Sequence, residues 1–171
     1  MQARPRPAFH RLGSGTGAPA PRKELAARIV LVHLSALVCS ELYPRLEPLG
    51  LERVATSLVD AGHDVRIVDL QVYGHDDHSA LVDRFRPDAT RMSLDDLANV
   101  PEVVDLAKRT RARQPQVKPF AGGRSVSFVA GRVLEHAPGA NDAVLRGEGE
   151  TGAPSSSRRS TTGVSSRSLA P

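Results

Sequence analysis

Apolar positions change their period several times along this chain, and each change marks an element. Residues 28–34, RIVLVHL, are a short β-branched run, as expected of a strand buried on both faces. Residues 48–63, PLGLERVATSLVDAGH, place Leu51, Val54, Ala55, Leu58 and Val59 on one helical face and end at Gly62. A second strand follows at once in DVRIVDL (64–70). HSALVDRF (78–85) has the spacing of a short helix, and PDATRMSL (87–94) that of a third strand with Arg91 in its middle. VPEVVDLAKRTRARQ (100–114) predicts a helix with Pro101 in its first turn and Val103, Val104 and Ala107 inward. QVKPFAGG (116–123) predicts a fourth strand ending in two glycines, SFVAGRVLEHA (127–137) a helix, and NDAVLRGEGE (141–150) a fifth strand.

Strand and helix alternate through short links, so the sheet should be parallel and covered on both faces. Right-handed crossovers then give an α/β, three-layer, Rossmann-like (flavodoxin-like) doubly wound domain with a five-stranded parallel sheet over residues 25–150. Residues 1–24 are rich in Pro, Gly and Arg without an apolar period, and residues 151–171 have almost nothing to bury. Both read as disordered, a leader and a low-complexity tail. In such sheets a ligand sits beyond the carboxyl ends of the strands. Those ends fall at His33 to Ser35, Asp69 to Gln71, Ser93 to Asp96, Gly122 to Arg124, and Gly147 to Glu150.

Charge changes the picture only by its location. The formal net charge is +4, but residues 1–24 carry +4 and residues 151–171 carry +3, leaving −3 for the rest. The basicity belongs to the ends, which argues against a nucleic-acid face on the folded part. One cysteine, Cys39, excludes a disulfide framework and a Cys-rich metal centre, and fits a reducing cytoplasm. RIVLVHLSALVCS has the basic start and apolar run of a secretion signal, but Val38 stands where a small residue is needed and His33 interrupts the run. No stretch is long enough to span a bilayer.

Common ligands of the fold can be set aside. A dinucleotide needs Gly-x-Gly-x-x-Gly after the first strand, where HLSALVCSELYPRLEPLG has no glycine before Gly50. GSGTG at 13–17 precedes the first strand. A phosphoacceptor domain would want acids after the first strand and a lysine after the fifth, where His33 and Arg146 stand. HDDH (75–78) reads as an exposed loop rather than a metal site, and Cys39 as a plain loop thiol. Glu148 and Glu150 read as helix-capping or interdomain groups, and Asp69 as a strand-end residue. What remains is a long first loop, a serine ending the third strand, and Gly122-Gly123, whose bare backbone would let a bulky group lie close.

Taken in order, Pro48-Leu49-Gly50-Leu51, AGHDVRIVDL, PDATRMSL, AGG and VLRGEGE resemble the N-terminal cobalamin-binding domain of radical S-adenosylmethionine enzymes. YPRLEPLGLERVA, DLQVYGHDD, LANVPEVVDLAK and GGRSVSFVA are similar to the hopanoid carbon-3 methylases within it. The resemblance implies cobalamin as cofactor. It implies His33, Leu34, Ser35 and Ala36 near the lower face of the corrin, and Ser93 and Leu94 lining the crevice of the nucleotide tail. Gly122 and Gly123 would lie against that tail, and Gly147, Glu148 and Gly149 would close the edge. It further implies a methyltransferase whose four-iron cluster and S-adenosylmethionine this chain does not bind, because Cys-x-x-x-Cys-x-x-Cys is absent.

Other departures are the lack of Asp-x-His-x-x-Gly in the first loop, Arg91-Met92 before the serine, and Lys118-Pro119-Phe120 before the glycines. Arg91 and Lys118 are expected either to face solvent at strand ends or to mark a decayed copy. The expectation is a cobalamin-binding unit cut from a longer enzyme, its radical domain lost or encoded separately. The alternatives are a non-catalytic remnant and a stand-alone domain for small ligands or protein interaction.

Overall fold

The computed structural model describes residues 26–35, 47–125, 131, 135 and 137–145. The strands are β1 (Arg28–His33), β2 (Asp64–Asp69), β3 (Ala89–Ser93), β4 (Lys118–Gly122) and β5 (Ala143–Leu145); the helices are α1 (Leu49–Asp60), α2 (His75–Phe85) and α3 (Val100–Arg113). The strands form one sheet in the order β2-β1-β3-β4-β5, every pair parallel. The helix expected over 127–137 lies largely outside the described residues, as do both chain ends and RGEGE. Among the described residues no helix is long and apolar enough to cross a membrane.

Strand alternation divides the core into two layers. Ile29, Leu31, Val65, Ala89 and Phe120 face α1, whose Leu51, Val54, Ala55 and Leu58 are buried against them. Val30, Val32, Val68, Met92 and Ala121 face α2 and α3 through Leu81, Val103, Leu106 and Ala107. Val104, expected inward with its neighbours, is only partly buried at the edge of this layer. The three-layer α/β arrangement is therefore the one the periodicity predicts.

Two local expectations need correction, and the proline in the fourth strand finds its explanation. HDDH is not a loop: α2 begins at His75, and the Asp77 carboxylate accepts the Gly74 amide at 2.9 Å. Two acids in the first turn also suit the positive end of the helix dipole. Arg91 is not solvent-facing, being 6% exposed in mid-strand. Pro119 is tolerated because β4–β5 pairing begins one residue later, at Phe120 with Ala143. Its carbonyl still accepts from the Asp142 amide at 2.8 Å, so the missing donor falls before the ladder starts.

Candidate functional site

Parallel register brings the carboxyl ends of the strands into one row. His33 pairs with Asp69 on one side and Ser93 on the other, Ser93 with Gly122, and Gly122 with Leu145. Alternation puts the His33, Ser93 and Gly122 positions on the α1 face, while Leu34 and Leu94 are buried in the α2/α3 layer. Thus His33, Ser93 and Gly122, separated by up to 89 residues in sequence, share one edge. Ala36, Gly147, Glu148 and Gly149 lie outside the described residues.

Each polar member of the row is already held. His33 Nδ1 lies 3.0 Å from Asp69 Oδ1, which also accepts the Gln71 amide at 2.9 Å. This pair fixes the imidazole plane at the end of β1. The Ser93 hydroxyl donates to Asp95 Oδ2 at 2.8 Å. Asp95 then spans to the loop after β4, accepting the Arg124 amide at 3.3 Å through Oδ1 and the Ser125 hydroxyl at 2.6 Å through its carbonyl. Ser93 thus presents acceptor lone pairs outward, not the free hydroxyl donor that its position suggests.

The two glycines serve the chain itself first. A Cβ on Gly122 would stand 2.8 Å from Arg91 Nε and 2.9 Å from Nη2; one on Gly123 would stand 2.7 Å from the Leu94 carbonyl oxygen. The bare backbone at Gly122 is therefore not an open slot: the Arg91 guanidinium lies over it. Gly122→Ala should cost about 1–2 kcal/mol, because Arg91 must move. In an Arg91→Met background at least half of that cost should vanish, and equal costs in paired urea melts would sever the link between the two residues.

A second polar cluster, which no spacing in the sequence announces, lies on the α2/α3 side of the same edge. Glu102, in the first turn of α3, accepts the Ser35 amide at 3.2 Å and the Ser35 hydroxyl. It also accepts Asn99 Nδ2 at 3.0 Å and contacts His75 Nε2 at 2.7 Å. Burial pushes the Glu102 carboxyl up, but the hydrogen bonds from Ser35, His75 and Asn99 outweigh it and hold the group below the usual range. Among the described residues no group of three or more His, Cys, Asp or Glu is placed to hold a metal ion.

A parallel sheet with order 2-1-3-4-5 and polar groups gathered at its carboxyl edge suits a ligand that straddles β1 and β3. Residues 36–155 match the family model described as the B12 binding domain. This chain belongs to the B12-binding domain family. One relative, the hopanoid C-3 methylase of Methylococcus capsulatus, is 54% identical over 127 residues, covering 74% of this chain. The chain spans 25% of that relative's length.

Two solved structures share the fold. The cobalamin-dependent S-adenosylmethionine radical enzyme OxsB, with aqua-cobalamin and S-adenosylmethionine bound, superposes with a TM-score of 0.67 at 17% identity, over 80% of this chain and 19% of that one. A cobalamin-binding protein from Desulfitobacterium hafniense superposes with a TM-score of 0.62 at 15% identity, over 80% of this chain and 60% of that one. The residues of the B12-family edge fit a corrinoid on one condition. The nearest atoms over Gly122 are the far end of the flexible Arg91 side chain, so a corrinoid would fit against this backbone only where another Arg91 rotamer vacates that space.

Proposed function

We propose that this chain binds cobalamin across the carboxyl edge of its sheet and serves as the cofactor-carrying unit of a radical methyltransferase acting on a hopanoid. The observation that carries this reading is the family match over residues 36–155, strengthened by 54% identity to a hopanoid C-3 methylase. Bound cobalamin would supply a transferable methyl group. His33, steadied by Asp69, and Leu34, Ser35 and Ala36 would meet the corrin side; Ser93, Leu94, Gly122 and Gly123 would line the nucleotide arm. Gly147, Glu148 and Gly149 would close the edge. The iron–sulfur cluster and S-adenosylmethionine would be held by a segment outside this chain, and the single cysteine agrees with a cytoplasmic setting.

Purified chain mixed with hydroxocobalamin should emerge from desalting with a visible corrinoid spectrum near one equivalent. At a hundredfold excess of free ligand over Kd, it should also gain about 2.7 kcal/mol of stability. A protein that unfolds cooperatively yet leaves the column colourless would reject the reading and favour a non-binding remnant.

A further inference from the structure

Glu102 has no lone pair left for a ligand. A carboxylate offers about four acceptor positions, and here two go to Ser35, one to Asn99 and one to His75. Ser35 is gripped in return at every polar atom: its amide and hydroxyl donate to Glu102, and its carbonyl accepts Asn99 Nδ2 at 3.1 Å. Asn99 is 9% exposed, and the Glu102 side chain 12%. The participants come from three different connections. Ser35 lies just past β1, His75 opens α2 after β2, and Asn99 and Glu102 stand at the start of α3 after β3. The neighbours β1 and β3 are where the strand order reverses, and a doubly wound sheet takes its ligand there.

We propose that Glu102 is a positioning residue for the corrinoid site: it ties the exit of β1 at Ser35 to α2 and α3, and so presets the backbone that the corrin must approach. The proposal rests on the cobalamin reading above and assigns Glu102 no contact with cofactor. A fixed exit from β1 removes an ordering cost that binding would otherwise carry. The anchor works through charge-assisted hydrogen bonds, so the isosteric amide should only partly replace it.

The test compares full-length Glu102→Ala and Glu102→Gln with Val65→Ala, a buried change at the amino end of β2 that lowers stability away from this edge. Without ligand, amide hydrogen exchange at Ser35 should speed up at least tenfold in Glu102→Ala and less in Glu102→Gln, with Val65→Ala unchanged there. Hydroxocobalamin should bind Glu102→Ala about tenfold more weakly, because binding must then carry the cost of ordering the exit of β1, and Val65→Ala as the wild type does. Unchanged Ser35 exchange, or equal effects in Val65→Ala, overturns the proposal, as does unaltered affinity in Glu102→Ala. If the wild type retains no corrinoid while Glu102→Ala still frees Ser35, the cofactor reading fails and the anchor at Ser35 stands.

Discussion

Gly123→Ala should be the most damaging single-methyl change at the sheet edge, lowering stability by about 3–5 kcal/mol. Two costs combine. Gly123 has φ of +124°, a backbone conformation that side-chain-bearing residues rarely adopt. Its Cβ would also lie 2.7 Å from the Leu94 oxygen, 2.9 Å from the Leu94 carbonyl carbon and 3.0 Å from its nitrogen, all of them main-chain atoms. Leu94 cannot yield: its side chain is fully buried, and its amide donates to the Gly122 carbonyl at 2.6 Å. Gly62 supplies the comparison. Its φ is +90° with nothing within 4 Å of an added Cβ, so Gly62→Ala should cost only the conformational part, about 1 kcal/mol. Thermal melts should place Gly123→Ala roughly 12–20 °C below the wild type, given about 4 °C per kcal/mol for a domain of this size. If the two alanine variants melted together, the close approach of the β3 and β4 exits would not constrain the fold.

That close approach alters how the glycine pair is understood. From the sequence, adjacent glycines at a strand end suggested room for a bulky ligand. In the structure the room is taken first by the protein: Leu94 main chain against Gly123, and the Arg91 guanidinium over Gly122. The two contacts differ in kind. The backbone contact is permanent and sets the distance between the loops after β3 and β4. The guanidinium contact ends a flexible side chain, so it fills the crevice while leaving it able to open. A strand-end glycine can thus be required by the fold and still border a ligand.

The architecture was legible because each element is short and its period unambiguous. RIVLVHL is apolar on both faces because both faces are covered, and Leu51, Val54, Ala55 and Leu58 fall where a helix over one face must bury them. What could not be read is whatever depends on register or on contacts far apart in sequence. That His33, Ser93 and Gly122 lie on one edge was legible, but that they pair directly in one row follows only from the strand order and register. Ser35 and Glu102 are 67 residues apart, and an acid after Pro101 reads as an ordinary helix-dipole partner. The buried Arg91 was missed for a related reason: alternation gives its face but not what covers that face. One miss was avoidable. Asp76 and Asp77 ahead of Leu81 and Val82 are an N-terminal helix signature, and would have moved the start of α2 to His75 and His78 inward.

His78 should make the fold acid-sensitive at a pH where carboxylates are still ionised. It is 1% exposed, and neither ring nitrogen has a hydrogen-bond partner among the described residues. Burial, reinforced by the nearby charges of His75 and Arg113, lowers its pKa from 6.5 to about 4. A histidine depressed in the folded state is protonated first in the unfolded chain. Stability is therefore lost as pH falls from 6.5, and the loss is complete below about 4. The full loss is about 3 kcal/mol, at 1.36 kcal/mol for each unit of difference. Glu102 does not blur the window, because its pKa is held below 4.5 and its own contribution fades only in stronger acid. His78→Leu removes the titrating ring and two unsatisfied nitrogens together. The variant's advantage over the wild type should be about 2 kcal/mol larger at pH 5 than at pH 7.5, where the ring is neutral in both states and only the unsatisfied nitrogens count. Urea melts at pH 7.5, 6 and 5 separate the two contributions. The gap between variant and wild type must widen toward pH 5; a constant gap would mean that His78 takes up protons as readily in the folded chain as in the unfolded one.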